Sequence, residues 1–467
     1  MTELDFRNTN SLWCSVLVET LFRRGVRQAV CSPGSRSTPL TFALARHAGI
    51  EAIPVLDERS AAFFALGLAK QTQRAVVLVC TSGSAVANYF PAIVEAKESG
   101  VPLIVITADR PPEMRECASG QTIDQQKIFG GFVTWYHELA VPEATLEMLR
   151  YLRQTGAHAC DRAMGMSDVA RGPVHLNAPF RDPLPPVESG NGNALRGQID
   201  EDFFAHLSSG KPPVSAGAVQ RPTTTRGLIV AGAYAPEDRA RYVAKLSELA
   251  ATLGWPVLVD VLSPARHHEL PGAVRVSAYD AILRNEAAAR ALVPRTVLCL
   301  GSWPTSKVLR GWLEQTQAET LLVSPAPDNR DALHGKTRQL ALPVEGLSAA
   351  KGGAVDASYA QAWSRAEATA RSILDGSLEK TTELFEAKAA WLLSRILPVG
   401  TPLAVANSMP VRDLEYVWPA GGRGTARASG SERVAAPRAK SAPAWRGRDR
   451  PSQRSVAPCD LRSERAT

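Results

Sequence analysis

The sequence predicts an α/β protein built on parallel sheets, and three observations carry that expectation. Apolar runs of strand length, such as AVVLVC (75–80) and VPLIVI (101–106), are continuous rather than alternating, as in strands covered on both faces. Helix-length stretches separate these runs at a regular beat across residues 11–110. Polar residues gather just beyond several runs, at the carboxyl ends of strands where open α/β sheets place their function.

Taken in order, an amphipathic helix carrying Trp13, Val16, Leu17 and Leu21 ends near Gly25, and QAVCS (28–32) follows as a strand. GSRSTPL (34–40) turns into a helix, with Thr38 expected as its N-cap and Pro39 at its first position. IPVL (53–56) is the next strand and 61–70 its helix. AVVLVCTSGS (75–84) is strand and turn, with Ser84 expected to cap one helix that stops at Gly100. VPLIVITADRP (101–111), a helix over 143–163 and the strand GPVHLNAP (172–179) complete this unit, and RDPLPPVESGNGN (181–193) reads as linker. A second α/β unit opens at GLIVAGAY (227–234) and continues through a helix (237–253), PVLVDV (256–261), TVLCLG (296–301), a helix (306–316) and TLLVSP (320–325). Its first turn lacks G-x-G-x-x-G, so it is read as a structural α/β domain rather than a dinucleotide fold. A third unit begins with a helix over 378–396 and the strand PLAVANS (402–408).

Composition narrows the class further. At 467 residues, 45% hydrophobic and 21% charged, the chain has room for two or three domains. No apolar run approaches the roughly 18 residues of a membrane span, and MTELDFRNTN lacks a signal pattern, so a cytoplasmic location is expected. Seven widely spaced cysteines without a C-x-x-C pair fit a reducing compartment and offer no zinc site. The net charge of +7 lies wholly in residues 421–467, since residues 1–420 hold 42 basic and 42 acidic side chains. That tail is Arg, Ala, Ser, Pro and Gly with few branched aliphatics, and it is expected to be disordered.

Four polar segments mark the strand ends: SPGSRS (32–37), DERS (57–60), TSGSAVAN (81–88) and ADRPPEMRECASGQTIDQ (108–125). Each has a bland reading: Glu58 as helix-dipole chemistry, Gly34 and Gly83 as turn residues, Arg36 and Arg110 as solvated cations. Four on one rim argue for a site.

In this order the segments resemble the pyrimidine-binding domain of thiamine diphosphate enzymes, and within them the 2-succinyl-5-enolpyruvyl-6-hydroxy-3-cyclohexene-1-carboxylate synthases of menaquinone biosynthesis. SPGSRSTPL, DERSAAFFALGLAK, TSGSAVANYFPAIVEA, ITADRPPE, GQTIDQ, PTSK (304–307) and ANSMPVRDLE (406–415) carry the resemblance across about 1–420. It implies a pyrimidine-binding domain over 1–186, a linker over 187–225, a middle α/β domain over 226–350 and the start of a diphosphate-binding α/β domain over 351–420. It implies thiamine diphosphate with Mg²⁺ or Mn²⁺ and a homodimer or tetramer; the short apolar runs point to no membrane partner, and a tail with only Trp445 as a stacking residue argues against a nucleic-acid partner. The implied reaction decarboxylates 2-oxoglutarate and adds the resulting unit to isochorismate.

The resemblance also gives residue roles. Glu58 is the catalytic carboxyl that shares a proton with the cofactor's aminopyrimidine, Gly83 lets backbone approach the pyrimidine, and Asn88 orients that loop. Arg36, Arg110 and Arg412 face the substrates' carboxylates, with Gln121 and Ser408 as hydrogen-bonding partners. ARHHE (265–269) lies where the middle domain would add a basic contact. Asp57 is expected to cap the helix after it.

The chain departs from the family in its last part. The family binds the metal and diphosphate through Gly-Asp followed by a later Asn, whereas no Gly-Asp occurs here and Asp375-Gly376 stands in the wrong context. No metal ligand is therefore expected in this chain, and the segment after about 420 reads as a truncation or as out-of-frame translation of a GC-rich gene. Inactivity follows as an expectation. The alternatives are a non-catalytic pseudoenzyme that binds polyanions through its basic tail, and another thiamine diphosphate-dependent synthase.

Overall fold

The computed structural model describes residues 4–166, 170–190, 192–205, 207, 217–219, 226–326, 329–349, 357–421 and 425–429. The first unit is a six-stranded sheet of β1 (Gln28–Ser32), β2 (Glu51–Pro54), β3 (Val76–Cys80), β4 (Leu103–Asp109), β5 (Trp135–Glu138) and β6 (Val174–Pro179). Its order is β2-β1-β3-β4-β6-β5, and every pairing is parallel. Its helices are α1 (Thr9–Arg23), α2 (Thr38–Arg46), α3 (Glu58–Thr72), α4 (Ser84–Ala87), α5 (Phe90–Glu98) and α6 (Leu146–Met164). The continuous apolar runs have a direct cause. Val77 and Val79 of β3 pack in the core beneath α1, α2 and α6, while Val76, Leu78 and Cys80 pack beneath α3, α4 and α5. With side chains alternating to two covered faces, neither parity can be polar.

The second unit contains β7 (Gly217–Val219), β8 (Gly227–Ala231), β9 (Val257–Val259), β10 (Arg275–Val276), β11 (Thr296–Leu300), β12 (Glu319–Ser324), β13 (Thr337–Ala341) and β14 (Leu347–Ala349). Six of these form a parallel sheet of order β10-β9-β8-β11-β12-β13, and β7 pairs with β14. Its helices are α7 (Arg239–Leu253), α8 (Tyr279–Leu283), α9 (Glu286–Ala291) and α10 (Lys307–Thr316). Then come α11 (Ser358–Lys380), α12 (Glu386–Ile396), β15 (Pro402–Ala406), α13 (Met409–Val417) and β16 (Thr425–Ser429). No helix among the described residues is long and apolar enough to cross a membrane.

Several expectations meet a different structure. The helix expected over 84–100 is two, α4 and α5, because Pro91 sits in the first turn of α5 where a new helix starts readily. The helix expected over 378–396 breaks at 381–385, between α11 and α12. Residues 192–205, read as linker, place Leu195, Ile199, Phe203 and Phe204 in the first unit's core. The Asn8 side chain helps route this exit, donating to the carbonyls of Pro185 and Val187 (3.1 and 3.0 Å) while its oxygen caps α1 at Ser11 N (2.9 Å). The tail, expected to lack structure from 421, contributes β16, which pairs in parallel with β15 across the α13 crossover. The rest of the tail lies outside the described residues.

ARHHE also plays another part. Arg266 has no exposed surface and donates to the carbonyls of Val259 and Trp418, with its Nη1 3.4 Å from Glu415 Oε1. Glu415 Oε2 accepts the Val261 N–H at 2.5 Å. Burial, reinforced by the charge of Asp260, pushes the Glu415 carboxyl up to about 7 against the pull of Arg266. This buried pair ties α13 to the end of β9. Arg266→Met should therefore cost about 1–3 kcal/mol for each buried acceptor it leaves without a donor, namely the Val259 and Trp418 carbonyls; chemical denaturation of the two proteins checks it.

Candidate active site

The strand order places a switch point between β1 and β3: the connection after β1 runs to β2 on one side, and the chain then returns past β1 to β3. Ligands of open α/β sheets bind outside such a point. Here the two turns touch. A Cβ on Gly34 would lie 2.6 Å from Thr81 Cβ, so only glycine lets the loop after β1 close on the loop after β3. Arg36 follows within that loop, 8% exposed, with Nη1 donating to Phe180 O at 2.8 Å and lying 4.0 Å from Asp182. Arg110 directly follows β4 and donates to the Ser82 hydroxyl and to Gln121 O (2.7 Å). Burial first, and then the positive charge of Arg36, hold the Arg110 guanidinium below its usual range. Two cations thus share one rim.

Residues 57 and 58 divide the labour at the start of α3. Asp57 is the N-cap, accepting the Ser60 N–H at 2.8 Å. Glu58 is the first helical residue, half-buried, with no hydrogen bond or ion pair to the described residues. Because its neighbour satisfies the helix end, its carboxyl is left for other work. Leu56, just before, is 83% exposed, and Ile123 is exposed as well.

Gly83 has φ 83° and ψ −145°, a conformation closed to other residues. Its N–H donates to Gln125 Oε1 at 2.9 Å, and the preceding carbonyl, of Ser82, accepts from Gln121 Nε2 at 3.0 Å. Gln125 is wholly buried and also donates to Ala108 O (3.2 Å) and Asn177 Oδ1 (3.0 Å). Asn177 in turn accepts from Thr107 (2.9 Å) and donates to Asp109 (2.9 Å) and Glu138 (3.0 Å). Asn88 is exposed at the end of α4, its amide on Ser84 O at 3.2 Å. Sequence reasoning missed Ser82, Gln125 and Asn177. The available signal was the second glutamine of GQTIDQ, four residues after Gln121.

Glu58, Arg36, Arg110, Gln121 and Gly83 therefore lie at the carboxyl ends of one sheet. Ser408 and Arg412 do not join them by any hydrogen bond or ion pair. Ser408, exposed with φ 73°, precedes α13, and Arg412 lies one turn on, half-buried, with Nη1 3.9 Å from Met409 Sδ. Asp375 is engaged elsewhere, accepting from Trp391 Nε1 (2.7 Å) and pairing with Arg395 (3.0 Å). Among the described residues, no group of three or more His, Cys, Asp or Glu side chains converges to hold a metal. A cavity of about 340 Å³ lies between the far ends of α3 and α5 and the loops after β8, β11 and β12, and contains none of these residues.

Residues 14–128 match the thiamine pyrophosphate enzyme N-terminal TPP binding domain, and residues 200–405 the middle domain of thiamine pyrophosphate enzymes. The 2-succinyl-5-enolpyruvyl-6-hydroxy-3-cyclohexene-1-carboxylate synthase of Acaryochloris marina is 46% identical over 433 residues, 90% of this chain and 73% of that protein. The synthase of the same name from Microcystis aeruginosa is 47% identical over 420 residues, 89% and 73% of the two chains. The chain belongs to this synthase family. Its members are thiamine diphosphate-dependent, C–C bond-forming transferases of menaquinone biosynthesis. A third synthase, from Synechococcus sp. (strain JA-3-3Ab), is 48% identical over 437 residues, covering 90% of this chain and 72% of its own.

The turn that the synthase family places in its pyrimidine-binding domain is geometrically intolerant here. A Cβ at Gly83 would sit 2.9 Å from Gln121 Cγ and 3.1 Å from Gln121 O, besides straining φ. Gly83→Ala should cost about 1–3 kcal/mol, measured by denaturant unfolding, and should displace Gln121 from Ser82 O.

Proposed function

We propose that this chain carries the pyrimidine-side and carboxylate-binding parts of a 2-succinyl-5-enolpyruvyl-6-hydroxy-3-cyclohexene-1-carboxylate synthase site, for 2-oxoglutarate and isochorismate. The observation that carries the reading is the placement of Glu58, uncommitted at the head of α3, beside the β1/β3 switch point with Gly83 and the Arg36–Arg110 pair. The residues present fit the aminopyrimidine end of thiamine diphosphate: a free carboxyl on one side and a turn without a side chain on the other. They do not fit the metal–diphosphate end, because a hard dication takes several oxygen ligands and the described residues bring no such set together. When bound, thiamine diphosphate supplies the electron sink for losing CO₂ from a 2-oxo acid.

The protein's own share is positioning and charge. Glu58 holds a proton against N1′ of the aminopyrimidine, a role suited to a carboxyl that no neighbour has claimed. Arg36 and Arg110 repel each other, so a carboxylate placed between them relieves that repulsion and is bound through planar forks. Gln121 adds an amide beside them. Ser408, immediately before α13, and Arg412, on it, belong to the same substrate surface in this reading. The exposed Leu56, two residues before Glu58, supports a homo-oligomer that covers this face.

Two measurements test the reading. Saturation-transfer NMR of thiamine diphosphate with the full chain should show contact through the aminopyrimidine protons, reduced at least severalfold in Glu58→Ala. No aminopyrimidine signal would sink the assignment. Release of CO₂ from 2-oxoglutarate should not exceed the protein-free rate, with or without Mg²⁺, since the metal–diphosphate end is unsupported. Turnover above that rate would show that this polypeptide completes the site.

A further inference from the structure

Two glutamines four residues apart grip a single peptide group. The carbonyl of Ser82 and the N–H of Gly83 belong to one rigid plane. Gln121 Nε2 holds the first at 3.0 Å, and Gln125 Oε1 holds the second at 2.9 Å. Fixing both ends fixes the rotation of that plane about its Cα–Cα axis.

The two legs differ in kind. Gln125 has no exposed surface, and its amide nitrogen is committed to Ala108 O at the end of β4 and Asn177 Oδ1 on β6. Its oxygen can therefore point only at Gly83. Asn177 is itself locked by Thr107, Asp109 and Glu138, so the orientation propagates inward to the sheet. A side chain that both donates and accepts is needed here, and an amide suits it best, accepting from one N–H while donating to two oxygens. Gln121, by contrast, is exposed and bonds the Ser82 carbonyl from outside.

We propose that Gln125 is a positioning residue for the cofactor-facing turn: it sets the orientation of the Ser82–Gly83 peptide that the aminopyrimidine meets, with Gln121 as a replaceable outer leg. The proposal rests on the reading of Gly83 as the pyrimidine-side turn. It goes beyond that reading by making the turn's shape depend on a buried side chain outside the site.

The test is amide hydrogen exchange at Gly83, read by mass spectrometry on the full chain without ligand and corrected for intrinsic rates. Gln125→Met should lower Gly83 protection at least tenfold, while Gln121→Ala leaves it within twofold. Gln125→Glu gives the pH signature. Its protonated acid can donate to Ala108 O or Asn177 Oδ1 and accept from Gly83, whereas the carboxylate has no proton to give and sets its charge against both of those oxygens. The introduced acid is therefore raised above the usual ~4.3, so the clamp holds below that raised value and is lost as pH rises through it. Of the other groups around it, Arg110 and Arg115 stay charged, Asp109 and Glu138 are the neighbouring acids, and His175 titrates only near 3 because it is buried.

Gly83 protection in Gln125→Glu should approach wild type at pH 5 and fall at least tenfold by pH 8, with wild type flat. The aminopyrimidine saturation-transfer signal should follow it. Protection within twofold of wild type in Gln125→Met, or no pH dependence in Gln125→Glu, overturns the proposal. So does failure of Gln125→Glu to fold at pH 5, or an aminopyrimidine signal that stays constant while protection falls. If Gln125→Met does not fold, the Gln125→Glu comparison decides alone. Because exchange is read without cofactor, its outcome is separate from whether thiamine diphosphate binds.

Discussion

The loops after β3 and β4 depend on one buried amide, that of Asn177. It lies on β6, yet its hydrogen bonds reach Thr107 and Asp109 of β4, Glu138 of β5 and Gln125 of the loop between them. Asp109 is held above the ordinary carboxylate range by burial, despite the Asn177 amide and the Arg115 cation beside it. A network of this kind is stabilising only when each member is satisfied, since an unpaired polar group in so dry a place is costly. The consequence is rigidity. Arg110 leaves β4, and Gly83 leaves β3, at angles that this network dictates.

A second buried charge cluster does the corresponding work for the end of the described chain. Arg266 and Glu415 join the middle sheet to α13, and Arg371 adds hydrogen bonds to Ser277 Oγ (3.0 Å) and Val417 O (2.9 Å). Ser408 immediately precedes that helix and Arg412 lies on it. They are thus referenced to the middle sheet, whereas Glu58, Arg36 and Arg110 are referenced to the first. The two groups of residues have separate foundations.

The sequence was most legible where a physical rule acts locally. Continuous apolar runs located β1, β3, β4, β8, β11 and β12, because a strand covered on both faces has no polar parity to offer. Asp57 was legible as a cap, since it immediately precedes an apolar helix. Edge strand β5 was not: WYHE is only half-buried and lacks an apolar pattern. Nor was α11, whose buried face is thin, with Tyr359, Trp363 and Leu378 spread over 23 residues. At the candidate site, residues lying in motifs could be singled out as candidates, while Asn177 sat in a strand where a buried asparagine looks like any other polar interruption. Arg266 misled because a basic run reads as cations available for a contact, and only tertiary packing shows that its partner is Glu415, 149 residues away.

The same Asn177 network has a bearing on the order in which the chain is built. Thr107 and Asn177 are 70 residues apart, and Gln125 and Asn177 are 52 apart. Long loops of this kind must close before their contacts give any return. As the polypeptide leaves the ribosome, β1, β3 and β4 can pair while Gln125 still lacks its partner. The turn at Gly83 takes its final shape only after β6 has emerged and docked, so the geometry of this strand-end loop is among the last things the domain's folding produces.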